Sequence, residues 1–375
     1  MKIGIDCRIY SSKFTGIGRC TYELVKHLIR INNELENPNQ LVLFFNNPEF
    51  NDFLPPPNTK KILVNAKHYS FKEQFTFNKI IKRENLDLMH FPHFNVPIFY
   101  RRPYTVTIHD LTLTLFPGRK MNRWYHRLAY NLTIKNAVKK AKKVIAVSEN
   151  TKKDIIKYLH IPEEKIKVIH NGVGQEFTLI QQTELFQPTL KKHQIKKQFL
   201  LYTGVWREHK NLHRLVKAFS LLREKYHLDL QLVITGKEDP LYPEVKKAVK
   251  QFALEDEVIF TGMVDEKELI YLYNAAIIYV FPSLYEGFGL PPLESMKCGT
   301  PVAASKVSSI PEVCGDNAVF FDPYDTEQMA EKIAFLYKNI DLQIELVENG
   351  LKHANKFSWE DSVKKTIECF NLYKT

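Results

Sequence analysis

Short apolar runs rich in β-branched residues alternate with longer segments of helical spacing along the whole chain. In the first half, these runs predict strands at Lys2–Ile9, Gln40–Phe45, Lys61–Val64, Leu86–Phe91, Tyr104–His109, Lys143–Val147 and Ile166–His170. The segments of helical spacing between them are Arg19–Ile31, Phe71–Arg83, Asn122–Ala141 and Asn150–His160. Alternation of strand and helix at this interval predicts parallel sheets with right-handed crossovers, and therefore an open α/β fold.

A second series of the same kind follows a polar stretch that contains no convincing strand. Its predicted strands are Phe199–Thr203, Leu230–Thr235, Val258–Thr261, Ile277–Phe281, Pro301–Ala304 and Ala318–Phe321. Its predicted helices are Asn211–Lys225, Pro243–Phe252, Glu266–Asn274, Pro292–Cys298, Thr326–Lys338 and Leu342–Lys356.

We therefore predict two doubly wound, Rossmann-like domains, over residues 1–180 and 198–356, joined by a linker over 181–197. The final helical stretch lies within 357–375, and no strand follows it, so we expect it to pack back on the first domain. Ligands of such sheets bind beyond the carboxyl ends of the strands. Two domains that face each other therefore predict a ligand cleft between them.

Length and composition limit the class of protein. The chain has 375 residues, of which 44% are hydrophobic and 25% charged, so a disordered or fibrous protein is excluded. No apolar run approaches the ~20 residues that a bilayer-spanning helix needs. The N-terminal sequence MKIGIDCRIY is typical of a buried strand rather than a signal peptide. The five cysteines are scattered, which indicates free thiols in a reducing cytoplasm.

Charge is distributed unevenly along the chain. Residues 1–190 contain 29 Lys and Arg against 16 Asp and Glu, a net +13, whereas the rest contains 24 against 26, a net −2. A basic first half predicts an anionic partner. An anionic membrane surface is favoured over nucleic acid, because the basic clusters belong to no recognisable nucleic-acid module. A solvated basic face is the alternative.

The strongest chemical signal is SLYEGFGLPPLE, residues 283–294, between a predicted strand and a predicted helix. Gly287 and Gly289 let backbone amides approach a ligand, and the start of the helix adds partial positive charge. This arrangement suits a diphosphate or the oxygens of a sugar. Glu286 and Glu294 are acceptor groups suited to binding hydroxyls.

A Glu, seven residues and a second Glu, enclosing Gly-Phe-Gly-Leu, resembles the signature of retaining glycosyltransferases of family 4. The resemblance implies the GT-B fold of two Rossmann-like domains. It also implies that Glu286 contacts the donor sugar and that Glu294 binds the ribose hydroxyls of the nucleotide. The backbone at Gly287, Phe288, Gly289 and Leu290 would hold the sugar and the diphosphate.

Two further motifs resemble the phosphate-binding segments of the family. GVWREHKN, residues 204–211, places Arg207 and Lys210 near a helix start, where cations and amides converge on phosphate. The chain departs from many members by carrying Val205 directly after the glycine. Gly16 and Gly18 precede the first predicted helix and resemble the glycine loop of the first domain, although an ordinary turn is the alternative.

The resemblance also assigns His109, in Ile-His-Asp, to the donor sugar near the reacting carbon. Asp110 would orient the loop, and the backbone near Met263 and Val264 would suit the nucleotide base. His90 and His93 have metal-binding side chains but no evident third ligand, and we interpret them as residues of the cleft wall or acceptor side.

These residues predict a retaining hexosyltransferase that uses a nucleotide-diphosphate sugar as its donor substrate. Within the family, the GVWREHKN and Ile-His-Asp-Leu segments look most like those of bacterial mannosyltransferases, and this resemblance implies GDP-mannose as the leading donor and a UDP-hexose as the second. No Asp-x-Asp motif stands at a strand end, so no metal or other cofactor is expected. The acceptor would be a lipid-linked or polysaccharide glycan of the cell surface. The enzyme would be cytoplasmic, peripheral on the inner face of the membrane.

Four alternatives remain open on the sequence. A synthase with a soluble sugar acceptor belongs to the same class. A non-catalytic protein would bind a nucleotide sugar at the same site but would not transfer the sugar. An epimerase would need acid–base carboxylates on both sides of the sugar, and nucleic-acid binding would rest on the charge alone. The sequence does not determine the donor sugar and base, the acceptor, the linkage or the oligomeric state.

Overall fold

The computed structural model describes residues 1–11, 16–66, 68–119 and 124–372, without the side chains of residues 71 and 72. The chain divides into two compact units. The first contains Met1–Gly172 and the chain from Ser358 onward, and the second contains Val173–Phe357.

The first unit contains a seven-stranded sheet in which all neighbouring strands are parallel. Its strands are β1 Lys2–Asp6, β2 Gln40–Phe45, β3 Thr59–Leu63, β4 Leu88–Phe91, β5 Tyr104–Ile108, β6 Lys143–Ala146 and β7 Ile166–Val168, in the order β3-β2-β1-β4-β5-β6-β7. The helices along this part of the chain are α1 Gly16–Asn33, α2 Glu49–Asp52, α3 Phe71–Arg83, α4 Thr112–Leu115, α5 Trp124–Lys140 and α6 Glu149–Leu159.

The second unit contains a six-stranded parallel sheet in the order β10-β9-β8-β11-β12-β13. Its strands are β8 Phe199–Thr203, β9 Gln231–Thr235, β10 Val258–Gly262, β11 Ile278–Phe281, β12 Val302–Ser305 and β13 Val319–Phe321. Its helices are α7 Gln187–Lys192, α8 Leu212–Glu224, α9 Glu244–Gln251, α10 Glu266–Ala275, α11 Leu290–Lys297, α12 Ile310–Cys314, α13 Thr326–Lys338 and α14 Ile340–Ala354.

The last helix, α15 (Trp359–Asn371), returns to the first unit and packs against α1. Alternate strand residues explain the two faces of this sheet, because successive side chains of a strand point to opposite sides. Leu41, Leu43 and Phe45 of β2 share one apolar cluster with α1 and α15, whereas Val42 and Phe44 share another with α3, α5 and α6. Both faces of the sheet are therefore covered by helices.

The predicted fold class is confirmed: each unit is an α/β structure built on a parallel sheet. Residues 181–197, predicted above as a linker, group with the second unit, where a 3-10 turn at Thr183–Phe186 and helix α7 contact α10. Among the residues that the structure describes, no helix has the length and apolar character needed to cross a bilayer.

A buried cluster of charges joins the end of β1 to α3. The guanidinium of Arg8 donates two hydrogen bonds to Asp6, from Nε to Oδ1 and from Nη2 to Oδ2, each 2.7 Å long. Its Nη1 donates to Glu73, whose carboxylate also accepts from Asn95 Nδ2 at 2.7 Å. All four residues are buried. The cluster therefore satisfies two buried carboxylates with one guanidinium, as buried charges require.

We expect the substitution Arg8→Met to lower the free energy of unfolding by about 3–5 kcal/mol, because it leaves Asp6 and Glu73 buried without their cation. Urea denaturation followed by circular dichroism measures the loss. Arg30→Met is the matched control: Arg30 Nη2 pairs with Glu360 Oε2 at 2.6 Å on the surface, and its removal should change stability little. Equal effects of the two substitutions would contradict the importance of the buried cluster.

Candidate functional site

Three neighbouring strands of the second sheet, β8, β9 and β10, end in the dipeptide Thr-Gly. Gly204, Gly236 and Gly262 all have positive φ, at 144°, 124° and 70°. A Cβ on Gly236 would lie 2.2 Å from the carbonyl oxygen of Gly204, so only glycine lets the ends of β8 and β9 come this close. The carboxyl edge of this sheet therefore exposes backbone that a ligand can approach closely.

An ion pair joins the two strongest sequence motifs at this edge. Lys210 ends the 3-10 turn Glu208–Lys210 after β8, and Glu286 lies in the loop after β11, the strand that pairs with β8. The Lys210 Nζ lies 2.6 Å from Glu286 Oε1, and the two side chains are only 20% and 13% exposed. One positive and one negative group are thus held side by side where the strands end.

Two serines fix the backbone of the loop that carries Glu286. The amide of Glu286 donates to Ser308 Oγ at 2.9 Å. The hydroxyl of the buried Ser309 lies 2.9 Å from the carbonyl oxygen of Glu286 and 2.8 Å from that of Phe288. Gly289, with φ of 104°, then leads into α11. These contacts give the glycine loop a defined shape before any ligand binds.

Helix α11 begins at Leu290 and has Pro291 and Pro292 in its first turn, where the missing N–H groups have no partner to lose. Glu294 follows one turn later, and its Oε2 accepts from the hydroxyl of Tyr273 at 2.9 Å. Burial raises the pKa of Tyr273 well above its usual value, and the Glu294 charge raises it further, so the phenol keeps its proton. Thr203 Oγ1, 2.9 Å from the same hydroxyl, extends this network to the end of β8.

The remaining predicted residues of the second unit lie at the same sheet edge. Arg207 is exposed and has extended backbone just before the Glu208–Lys210 turn. Met263 is 55% exposed and follows β10, with Val264 half-buried beside it. The structure brings Lys210 and Glu286 into direct contact. The backbone amide of Lys210 also donates to the carbonyl oxygen of Arg207 at 3.0 Å, whereas Met263 and Val264 follow β10, at the edge of the same sheet.

In the first unit, His109 follows directly after β5. Its Nε2 lies 2.9 Å from the carbonyl oxygen of Pro92, and because a carbonyl only accepts, Nε2 carries the proton. Burial lowers the pKa of His109, so the ring is neutral near pH 7. Asp110 accepts from the amide of Thr112 at 2.7 Å, at the start of α4.

Two interpretations of the first unit are wrong. Gly16 and Gly18 lie inside the first turn of α1 rather than in a loop before it, and the residues immediately before Gly16 lie outside the described ranges. His90 is not a residue of a cleft wall: it belongs to β4, is completely buried, and its Nδ1 lies 2.8 Å from Thr105 Oγ1. The local pattern missed this because a strand can bury a histidine that has a polar partner on the next strand.

Sequence reasoning missed the residues that support the site, namely Thr203, Tyr273, Ser308, Ser309 and Asn211. Asn211 is fully buried in a left-handed conformation, and its Nδ2 donates to the carbonyl oxygens of Pro282 and Pro323 at 3.0 and 2.8 Å. The recurrent Thr-Gly at strand ends was the available signal for Thr203. The partners of the other four lie far away in sequence, so no local pattern could identify them.

Among the described residues, no three His, Cys, Asp or Glu side chains are grouped so that they could share a metal ion. The carboxyl edge of the second sheet instead carries the Lys210 ammonium, the carboxylates of Glu286 and Glu294, and the glycine loop that leads into α11. Such a set binds anionic and hydroxyl-bearing molecules.

Two Rossmann-like units with this glycine loop and paired glutamates define a glycosyltransferase of the GT-B class. The family description "Glycosyltransferase Family 4" matches residues 14–177, and "Glycosyl transferases group 1" matches residues 185–353. The two matches together cover most of the chain, which therefore belongs to the glycosyltransferases of family 4 and group 1.

Known proteins resemble the chain over most of its length. It is 29% identical to the O-antigen chain mannosyltransferase B of Escherichia coli, covering 99% of this chain and 100% of that protein. It is 28% identical to the O-antigen chain mannosyltransferase RfbU of Salmonella typhimurium, over 80% of this chain and 77% of the relative. The sucrose-phosphate synthase of Thermosynechococcus elongatus shares the fold, with a TM-score of 0.79, 19% identity and coverage of 99% and 98%.

Stability should depend on pH through His90. Burial, with a smaller contribution from the neighbouring His109, lowers the pKa of His90 to about 3, against 6.5 for an unperturbed histidine. Below pH 6.5 the unfolded chain therefore binds a proton that the folded state excludes. This contribution to stability is complete above pH 6.5 and decreases by about 1.4 kcal/mol for each pH unit between pH 6.5 and the folded pKa of about 3.

We expect wild-type protein to lose about 2 kcal/mol more unfolding free energy between pH 7 and pH 5 than the variant His90→Asn. Urea denaturation at the two pH values measures the difference. His126→Asn, at an exposed position of α5, is the control and should keep the wild-type dependence. An unchanged pH dependence in His90→Asn would show that His90 is not held neutral.

Proposed function

We propose that this glycosyltransferase transfers mannose from GDP-mannose, with retention of anomeric configuration, to a hydroxyl group of a lipid-linked or polysaccharide acceptor. Glycosyl transfer and a role in cell-surface glycan synthesis follow from the family and from the O-antigen mannosyltransferases that the chain resembles. Both of those relatives are mannosyltransferases by name, which supports mannose as the transferred sugar.

The Lys210–Glu286 ion pair is the observation that carries this proposal. A nucleotide-diphosphate sugar presents phosphates and hydroxyls together, and the site offers a cation for the former beside an acceptor for the latter. A donor that exchanges the ion pair for these two contacts keeps both charges satisfied. Arg207 stands exposed three residues before Lys210 and supplies a second cation to the diphosphate.

The start of α11 and the glycine loop add the remaining donor contacts. Amides of Gly287, Phe288, Gly289 and Leu290 bind the phosphates and the sugar in this proposal, while Glu294 accepts from the ribose hydroxyls. The hydrogen bond from Tyr273 holds the carboxylate of Glu294 in place at the start of α11. The exposed Met263 and the half-buried Val264 contact the base in this proposal.

His109 contributes a hydrogen-bond acceptor to the donor sugar. Because Nε2–H is directed at the carbonyl oxygen of Pro92, the unprotonated Nδ1 of the neutral ring is the atom left to accept from a sugar hydroxyl.

The reaction we propose is a same-face displacement. The bond between the anomeric carbon and the diphosphate oxygen breaks, the acceptor oxygen attacks from the same side, and the departing phosphate takes the acceptor proton. Lys210, Arg207 and the amides stabilise the negative charge that develops on the diphosphate. Because these groups are positive or are backbone N–H donors, the reaction needs no metal ion. Glu286 positions the sugar and is not a nucleophile.

The acceptor and the charge of the chain together support a place on the inner face of the cytoplasmic membrane. Residues 1–190 have a net charge of +13, which favours an anionic lipid surface. Transfer of a hexose from a UDP-hexose to a soluble sugar, with release of UDP, is the second candidate function. A nucleotide-sugar binding protein without turnover is the third.

A thermal-shift panel of GDP-, UDP- and ADP-sugars tests the donor. GDP-mannose should raise the melting temperature most, because a ligand that binds only the native state stabilises it in proportion to occupancy. Turnover of GDP-mannose should persist in excess chelator. A larger shift with UDP-glucose would favour the second candidate. Binding without any turnover would favour the third, and turnover restored only by Mg²⁺ would contradict metal independence.

The substitution Glu286→Gln should lower turnover by about a hundredfold, because the sugar loses a charged acceptor that is strongest in the transition state. Mass spectrometry of wild-type enzyme quenched during turnover should find no glycosylated peptide that contains Glu286. Glu345→Gln, at an exposed position of α14, is the matched control and should retain full activity. A trapped sugar on Glu286 would replace the same-face mechanism with double displacement.

A further inference from the structure

Helices α3 and α5 cover the same face of the first sheet, and their outer surface has an unusual composition. Between residues 111 and 148 the sequence contains nine Lys and Arg and no Asp or Glu. We define the basic–aromatic groove as the open depression of about 550 Å³ that is lined by Phe75, Asn78, Lys79, Lys82, Arg83 and Phe99.

Two aromatic rings form the apolar part of the groove. Phe75 and Phe99 are 64% and 50% exposed. Their ring centroids are 5.9 Å apart and the planes are inclined by 29°, so the rings stack on each other. A pair of exposed rings in mutual contact is a larger apolar patch than a solitary surface phenylalanine, and such patches mark interaction sites.

Cations surround this pair of rings. Lys79, Lys82 and Arg83 are exposed on the last turns of α3, and none of them forms an ion pair with any described residue. Lys140 Nζ and Arg101 Nη1 both donate to the carbonyl oxygen of Ile98, at 3.2 and 2.8 Å, directly beside Phe99. Burial lowers the pKa of Lys140, and the nearby Arg101 charge lowers it further. The positive charges therefore repel one another and favour an anion.

Asn78 gives the groove a specific polar requirement. It is only 8% exposed, and its Oδ1 has no hydrogen-bond partner among the described residues. A buried oxygen of this kind is costly unless a donor reaches it. A ligand that carries a hydroxyl group beside a negative charge would satisfy both Asn78 and the cations.

The outer face of α5 also exposes apolar side chains to solvent. Trp124, Leu128 and Leu132 follow one another at a spacing of four and are 73%, 48% and 56% exposed. The opposite face buries Tyr130 and Ile134 in the core. The helix is thus apolar on both sides, although one of them faces solvent, and Lys135 and Lys139 continue the outer stripe. Apolar residues flanked by lysines on a surface helix are typical of membrane-interface helices.

We propose that the outer surface of α3 and α5 docks on an anionic phospholipid bilayer, with the glycerol-phosphate headgroup of a lipid in the basic–aromatic groove. Lys79, Lys82 and Arg83 bind the phosphate, and a headgroup hydroxyl donates to Asn78 Oδ1. Phe75, Phe99 and the α5 stripe enter the interface between headgroups and acyl chains. This inference rests on the proposed membrane location of the enzyme and identifies the surface responsible for it.

Flotation with vesicles tests the proposal. Wild-type protein should bind vesicles that mix phosphatidylglycerol with phosphatidylcholine and should not bind pure phosphatidylcholine. The triple variant Lys79→Gln, Lys82→Gln, Arg83→Gln should bind about a hundredfold more weakly, since each cation near such a surface contributes about fivefold. The double variant Phe75→Ser, Phe99→Ser should lose roughly tenfold or more.

Matched controls use exposed lysines of the second unit. The triple variant Lys338→Gln, Lys352→Gln, Lys356→Gln removes the same charge and should bind vesicles nearly as wild type. An equal loss of vesicle binding in both triple variants would show that only net charge matters, and it would contradict the groove as the lipid-binding site. The thermal shift with GDP-mannose should be the same in all variants, which separates failure of the groove from failure of the proposed donor site.

Three other outcomes would also overturn the groove as a lipid site. Wild-type binding to vesicles that all groove variants retain would place the membrane contact elsewhere. A thermal shift with free glycerol phosphate, without vesicle binding, would assign the groove to a soluble ligand. A dimer that the Phe75→Ser, Phe99→Ser variant dissociates in the absence of lipid would assign the surface to a second copy of the chain.

Discussion

The parallel alignment of every neighbouring pair of strands is the constraint on which the rest of the molecule depends. Parallel strands all end at the same edge of a sheet, while helices cover both faces and exclude polar groups from them. Chemistry is thereby confined to the loops after the strands. Lys210 and Glu286 are 76 residues apart in sequence, yet they meet because they follow adjacent strands of one sheet.

The side chains of the candidate site are held in place by neighbouring polar groups. Tyr273 holds Glu294, and Ser308 and Ser309 hold the loop around Glu286. The supporting residues are buried or partly buried, where an unpaired polar atom is costly, so their hydrogen bonds define a single geometry. The same principle applies in the first unit, where Pro92 sets the tautomer of His109. The site is therefore shaped by its supports before any ligand enters.

Helix α5 packs against the core on one face and exposes apolar side chains to water on the other. Its inner face packs on the sheet, whereas its outer face presents large apolar side chains next to lysines. Folding of the unit needs only the inner face, so the outer residues contribute nothing to the core. Only the folded structure shows that these residues are exposed. Exposed apolar side chains grouped in this way indicate a binding partner outside the chain.

The sequence by itself determined the strands and long helices, because apolar periodicity is a local property: Phe71–Arg83 and Thr326–Lys338 were predicted at their observed bounds. It also identified Glu286, Glu294 and Lys210 as candidates, because glycines and prolines mark a loop next to a helix start. The short helices α2, α4, α7 and α12 were not predicted, because one or two helical turns contain too few apolar positions to show a period. Only the tertiary structure paired Lys210 with Glu286, Tyr273 with Glu294 and Arg8 with Glu73, and only it showed His90 to be buried. Each of these facts depends on which strands are neighbours, and that is decided by packing between segments that are distant in sequence.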